Sequence, residues 1–131
     1  MTVECYLLRE DGPAEIVAAD LDDLQEIYKF VGCECLDLKL WWIGKHRFVF
    51  IFDDEGRLKG RKVTVVSQKG CVMLVGSCLV AGFTPTAPDD FEYRDLTEEE
   101  RHLIKVNLCK CLSETAAPQV LFGVLTRRED P

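Results

Sequence analysis

The sequence lacks both an apolar run long enough to cross a bilayer and the start of a secretory signal. A membrane-spanning helix needs about 20 consecutive, mainly apolar residues, and a secretory signal begins with positive charge followed by an apolar stretch. The 131 residues are therefore expected to form one domain without a membrane anchor. A chain of this length can bury a core without disulfides or metal ions.

The sequence also lacks the motifs of common catalytic sites. It has no Gly-rich phosphate loop, no nucleophile elbow and no metalloprotease helix. There are two histidines, His46 in a predicted turn and His102 in the first turn of a predicted helix, and neither shares a local motif with a cysteine. We therefore expect a protein without catalytic activity, and we assign it no catalytic residue, metal or cofactor.

Cysteine, in contrast, is abundant, with seven residues. An odd number, the lack of an export signal and mostly apolar neighbours predict reduced thiols in the cytoplasm, most of them buried as small apolar residues. Two Cys-x-Cys pairs suggest a zinc site, and Cys33 and Cys35 could converge from one strand face. Cys109 and Cys111 are two residues apart on a predicted helix and cannot face one ion, which argues against zinc.

Apolar periodicity predicts an α+β domain with a mixed or mainly antiparallel sheet of about five to seven strands. The predicted strands span residues 2–9, 15–19, 33–42, 47–53, 72–83 and 119–126. The first two strands are expected to form a hairpin, as are the third and fourth. Residues 63–66 fit a strand or a short helix equally well, and residues 84–90 are predicted to be a loop.

Two helices are predicted, and packing both on one face of the sheet is the simplest arrangement. The first would begin at Asp20 as N-cap and end at Gly32. The second would open at Thr97, since Thr97 and Glu100 have the spacing of a capping box. Its buried stripe is assigned to Leu103, Ile104, Leu108, Cys111 and Leu112.

Charge is distributed unevenly in a chain of net charge −7. Positive charge is concentrated after the turn 53–56, where Gly56 is expected to adopt positive φ and, with Gly60, to let backbone N–H groups approach an anion. An exposed Trp could stack on a base beside this loop. The candidate anion-binding residues are Arg57, Lys59, Arg61, Lys62 and Trp42. The alternative is that these cations balance nearby carboxylates and that one of Trp41 and Trp42 lies in the core while the other covers an edge.

Negative charge is concentrated at the first predicted helix. Its candidate partner-binding residues are Asp20, Asp22, Asp23 and Glu26. Such a face could meet a basic protein surface, including one that normally holds DNA. Direct binding of nucleic acid by this chain is not expected, because affinity for phosphate comes from cations.

The order of several short motifs resembles one family. These are Leu24-Gln25 with Gly32, the turn over 53–60, the Gly-punctuated strand 72–82, and Leu96-Thr97 before two glutamates. They resemble small proteins of unknown function carried by phages, prophages and conjugative elements of Gram-positive bacteria. The resemblance covers residues 3–112, with the strand 119–126 as an addition. After Gly60 the family's Leu-Pro and Asn-Arg are replaced by residues 61–64, Arg-Lys-Val-Thr, so no role of those residues transfers.

Two functional hypotheses follow. The resemblance implies an accessory protein of a phage or mobile element, without supplying a reaction, and the acidic helix favours a macromolecular partner such as a basic protein, with counter-defence as one such role. The alternative is a small-molecule binder that sequesters a nucleotide through the basic loop.

Overall fold

Strands make up most of the fold in the computed structural model, which describes residues 2–10, 13–32, 35–56, 58–66 and 72–108. In chain order the elements are β1 (Val3–Leu8), β2 (Glu15–Ala19), α1 (Leu24–Val31), β3 (Leu36–Ile43), β4 (His46–Asp53), β5 (Val63–Val66), β6 (Val72–Val75), β7 (Cys78–Ala87), β8 (Asp90–Arg94) and α2 (Glu98–Leu108). The predicted strand 119–126 lies outside the described residues, as do Cys111 and Leu112.

Six strands form one sheet in the order β2-β1-β7-β4-β3, with β8 paired to the second half of β7. Strands β5 and β6 form a separate two-stranded sheet. All of these pairs are antiparallel. The predicted α+β fold, with two helices and a mainly antiparallel sheet, is confirmed, and so are the hairpins β1–β2 and β3–β4.

The large sheet buries apolar side chains on both faces. On β4, Phe48 and Phe50 enter one core with Ile104 of α2 and with Val65 of the small sheet. Val49 and Ile51 of β4 enter a second core, on the side of α1. The expectation that both helices pack on one face is therefore wrong. The central strands are apolar on both faces, so each face needs its own cover.

The segment 72–94 differs most from the expectation. The predicted strand 72–83 is divided at Gly76, whose φ of 83° turns the chain between β6 and β7. The predicted loop 84–90 is wrong, since β7 continues to Ala87 and pairs with β8. Pro85 is accommodated opposite Phe91 next to an irregularity in the register, a position at which the missing N–H is tolerated. Residues 63–66, left open between strand and helix, form β5.

The two helix starts have different outcomes. Asp23, not Asp20, is the N-cap of α1, and its carboxylate accepts a hydrogen bond from the Gln25 N–H at 3.0 Å. Asp20 instead holds the preceding turn, because its carbonyl accepts from the Asp23 N–H and its carboxylate from the Asp22 N–H. Gly32 ends α1, as predicted.

The capping box at α2 is confirmed. The Glu100 N–H donates to the Thr97 hydroxyl at 3.1 Å, and the Thr97 N–H donates to the Glu100 carboxylate at 2.9 Å. Of the predicted stripe, Ile104 and Leu108 are buried and Leu103 is half-buried against the same core.

Candidate functional site

A cavity of about 370 Å³ opens where the turn before α1 meets β1 and β8. We call it the acidic aromatic cavity, and it is lined by Val3, Leu21, Asp22, Phe91, Glu92 and Tyr93. A second cavity of about 250 Å³ also borders Leu21 and Tyr93 and extends along α1 to Leu36 and Leu38 of β3. The α1 side of the sheet is thus incompletely filled.

The β7–β8 hairpin builds the aromatic wall. Alternation along β8 places Phe91 and Tyr93 on one face, with their rings edge to face at a centroid distance of 5.3 Å. Phe83 of β7 packs against Phe91 in the same way, also at 5.3 Å. These rings extend the α1-side core, so the wall is held by packing.

Glu92 also lines the cavity, and Asp22 is the acidic residue whose charge acts on Tyr93. Its side chain is exposed, and its carboxylate has no hydrogen bond or ion pair with any residue that the structure describes. Burial, and then the charge of Asp22, raise the pKa of the Tyr93 hydroxyl. The charge of the Asp22 carboxylate therefore acts on the hydroxyl of Tyr93, which lines the same cavity.

The other three acidic candidates act within the chain. Asp23 caps α1, Asp20 accepts from the Asp22 N–H, and Glu26 accepts from the backbone N–H of Asp20. The structure thus brings Asp22 to the cavity and uses Asp20, Asp23 and Glu26 to hold the entry to α1.

In the basic turn, residues 54–62, two cations, Lys59 and Arg61, pair with carboxylates. Asp53 is buried, and its Oδ2 lies 3.0 Å from Lys59 Nζ and 3.3 Å from Arg61 Nε. Arg61 also pairs with Glu10 at 2.7 Å and donates to the Gly32 carbonyl. Arg61 therefore ties the turn to the segment after β1 and to the end of α1.

The positive φ predicted at Gly56 is wrong. Gly56 does not adopt positive φ, whereas Gly60 does, with φ of 67°. A Cβ at Gly56 would lie 2.8 Å from Cγ2 of Val75, so the close approach of β6 is what requires glycine there.

The predicted anion-binding residues are not all neighbours. Asp53, which holds Lys59 and Arg61, lies opposite Leu36 on β3. Trp42 is six residues further along β3, which is about 20 Å at 3.3 Å per residue. Trp42 instead lies beneath the guanidinium of Arg47, at 5.8 Å from the ring centroid. Lys62 is exposed, and Arg57 lies outside the described residues.

The adjacent tryptophan, Trp41, packs in the α2-side core. Its ring lies 5.0 Å from that of Phe50, centroid to centroid. Both tryptophans are half-buried, so neither presents a fully open stacking surface.

A third polar cluster, at the start of α2, is structural in character. The buried Glu100 carboxylate accepts two hydrogen bonds from the Arg94 guanidinium, at 2.7 and 2.9 Å. Burial alone would raise the pKa of Glu100, but the hydrogen bonds from Arg94 and Thr97 outweigh it and lower the pKa. His46 of β4 contacts both Glu99 and Glu100. This cluster joins β8, β4 and α2.

The described thiols are Cys5, Cys35 and Cys78, and none of the three forms a disulfide. Cys5 and Cys78 are buried, and burial followed by the charge of Glu26 raises the pKa of Cys5 to about 12. Cys35 is exposed, and a hydrogen bond with Glu55 followed by the Glu55 charge raises its pKa. Low thiolate content makes Cys5 and Cys35 poor nucleophiles at neutral pH. The other four cysteines lie outside the described residues. Three of them, Cys33, Cys109 and Cys111, belong to the two Cys-x-Cys pairs.

Two further findings concern ligands and membranes. Within the described ranges, no three His, Cys, Asp or Glu side chains converge in the way that metal ligands do. Neither α1 nor α2 has the length and apolar character required to span a bilayer.

Phe91 and Tyr93 are not among the predicted site residues, because the sequence analysis predicts a loop over 84–90 and no strand after it. A signal was present, since Phe91 and Tyr93 alternate with polar residues after the turn-forming Pro88 and Asp89.

Comparison of the chain with protein-family models, curated proteins and solved structures finds no match. The resemblance to mobile-element proteins therefore stays a prediction.

Proposed function

We propose that this protein is a non-catalytic accessory protein that binds a macromolecular partner by receiving a basic side chain of that partner in the acidic aromatic cavity. The observation that carries the proposal is the Asp22 carboxylate, which has no partner among the residues that the structure describes, beside the aromatic wall of Phe91 and Tyr93. A role in a phage or mobile element, and action in the cytoplasm, belong to the same proposal and rest on the sequence.

The cavity's chemistry fits Arg or Lys. Their aliphatic stems can cover apolar surface such as Val3 and Leu21 while the charged end stays near solvent. A guanidinium or ammonium is attracted to the face of an aromatic ring and to a carboxylate. The net charge of −7 adds long-range attraction for a basic protein.

The volume supports a side chain rather than a large ligand. About 370 Å³ is near the lower end of the range for small-molecule sites. The adjoining cavity of about 250 Å³ gives room for a neighbouring apolar side chain of the same segment. A short segment with a basic residue next to a leucine or phenylalanine is the best-fitting occupant.

Calorimetric titration tests the proposal with three short peptides that differ at one central residue, Arg, Lys or norleucine, next to a leucine. We expect the Arg peptide to bind best and the norleucine peptide at least tenfold more weakly. Asp22→Asn should weaken binding of the Arg peptide about tenfold, since a charge-assisted contact contributes roughly 1.5 kcal/mol. Asp54→Asn, which neutralises an exposed carboxylate in the basic turn, should leave it unchanged.

Equal binding of the Arg and norleucine peptides would contradict the proposal that the cavity binds a basic side chain. Equal effects of Asp22→Asn and Asp54→Asn would contradict it as well. The alternative function, sequestration of a nucleotide by the basic turn, is tested in the same cell with mono-, di- and cyclic nucleotides. Nucleotide binding that Lys62→Ala abolishes would favour that alternative.

A further inference from the structure

The outer edge of β3 is open among the residues that the structure describes. β3 is the last strand of the order β2-β1-β7-β4-β3 and pairs there with β4 alone. It is eight residues long and is exposed at Asp37, Leu38 and Lys39. Long open edges of apolar sequence are templates for pairing with another strand.

The register shows which backbone groups face outward. Residues of an antiparallel strand direct their N–H and C=O groups alternately toward and away from a given neighbour. The Cys35 carbonyl accepts from the Asp54 N–H on the β4 side, so Leu36, Leu38 and Leu40 direct theirs outward. The Leu38 N–H is bonded instead to the side chain of Asp37, at 2.8 Å. The Asp37 carboxylate thus accepts from the Leu38 N–H, which in a continuous sheet would donate to a neighbouring strand.

The sequence of this edge is self-complementary. Residues 36–40 read Leu-Asp-Leu-Lys-Leu. If a second copy pairs antiparallel about Leu38, Asp37 of each copy lies opposite Lys39 of the other, and Leu36 lies opposite Leu40. Asp37 and Lys39 would then form non-hydrogen-bonded pairs, in which opposing side chains approach most closely.

We propose that two copies of this chain associate through β3, antiparallel and centred on Leu38, to join their large sheets. The junction forms about six backbone hydrogen bonds, two for each of the three pairs that Leu36, Leu38 and Leu40 make. The pair at Leu38 forms when the Asp37 carboxylate leaves the Leu38 N–H for the Lys39 ammonium of the other copy. Two cross-strand ion pairs fix the register. A shift of the centre to Leu40 would place Lys39 opposite Trp41 and lose both ion pairs.

Apolar surface beside the edge favours the same occupant. Leu38 is 40% exposed and Leu24 of α1 is 57% exposed, and both border the smaller cavity on the α1 side. Antiparallel pairing about Leu38 brings Leu38 of one copy next to Leu38 of the other. It also places both α1 helices on the same face of the joined sheet. Exposed leucine surface is thereby removed from water.

Sedimentation equilibrium of the full chain tests the proposal. The measurement is made near physiological ionic strength, so that the net charge of −7 is partly screened. We expect a concentration-dependent mass that approaches twice 14.9 kDa. Lys39→Asp places like charges opposite each other twice and should raise the dimer Kd at least tenfold. Lys45→Asp, the same charge change in the β3–β4 turn, is the matched control and should leave Kd unchanged.

The register is tested by exchanging the charges. The double variant Asp37→Lys/Lys39→Asp restores opposite charges at both pairs and should recover the dimer. The single variants Lys39→Asp and Asp37→Lys should each associate weakly alone and form a heterodimer when mixed. A monomer at all concentrations would overturn the proposal, and so would a dimer on which Lys39→Asp and Lys45→Asp act alike. Failure of the double variant to recover association would exclude the register centred on Leu38.

Discussion

The basic turn and the acidic aromatic cavity both concentrate charge, and they differ in where that charge is balanced. Arg61 and Lys59 meet the buried carboxylate of Asp53, and Arg61 also meets Glu10. Asp22, at the rim of the cavity, has no such partner among the described residues. A run of charge in a sequence can therefore hold the fold together, while acidic side chains beside aromatic rings at a cavity are better placed to bind.

The largest effect is expected at the basic turn. Asp53→Asn keeps the shape and the hydrogen bond from the Glu55 N–H but removes the buried charge that Lys59 and Arg61 share. The change takes this charge away from Lys59 and leaves Arg61 with Glu10. Because removing one partner of a buried ion pair is strongly destabilising, the free energy of unfolding should fall by about 3 kcal/mol. Denaturant unfolding measures it, with Asp54→Asn as the exposed control. Equal stability of the two variants would mean that the turn is not held by these pairs.

A smaller loss is expected at the start of α2. Glu100→Gln weakens the Arg94 contact and should cost about 2 kcal/mol at neutral pH. Because hydrogen bonds from Arg94 and Thr97 hold the folded pKa of Glu100 below the ordinary value of a glutamate, its contribution is present above that ordinary value and is lost as pH falls through the folded pKa. The variant and the wild type should therefore converge in stability on acidification. A difference that stays constant between neutral pH and pH 3 would contradict the assignment.

Thr97→Ala removes the hydroxyl that accepts from the Glu100 N–H. The loss of this cap should cost about 1 kcal/mol, a decrease in melting temperature of roughly 3–6 °C for a domain of this size. Peptide binding at the cavity should not change, because Thr97 does not line it. Unchanged melting together with lost binding would place the functional surface at α2.

The smallest effect on stability is expected at the cavity itself. Asp22→Asn should change the free energy of unfolding by less than about 0.5 kcal/mol, as for other exposed side chains. It should nevertheless lower the pKa of Tyr93, which burial raises and the Asp22 charge raises further. Tyrosinate absorbance during alkaline titration measures this shift, with Tyr93→Phe identifying the signal. A loss of several kcal/mol would show that Asp22 has a structural partner.

The fold could be predicted where side-chain periodicity decides it. Side chains of β4 alternate between the two faces of the sheet, and Thr97 and Glu100 form a capping box. Both features depend on residues close in sequence, and both predictions are confirmed. The N-cap of α1 lies three residues after the predicted one, because Asp20, Asp22 and Asp23 all have capping side chains and only the turn at Asp20 distinguishes them.

The candidate site was harder to predict, because it depends on contacts between distant segments. Asp22 and Tyr93 are separated by most of the chain and meet through the pairing of β8 with β7. The Arg61–Glu10 pair is equally non-local. Local charge pattern therefore identified Asp22 correctly as an acidic residue near α1 but could not distinguish it from Asp20, Asp23 and Glu26.

The most direct test of the central claim is a titration of isotope-labelled protein with the Arg-containing peptide, followed by backbone amide shifts. The account predicts the largest shifts at Leu21 and Asp22 and at 91–93, with little change over 59–62. It also predicts that these shifts are lost in Asp22→Asn and retained in Asp54→Asn. Shifts centred on the basic turn, or shifts at the cavity that survive Asp22→Asn unchanged, would contradict it.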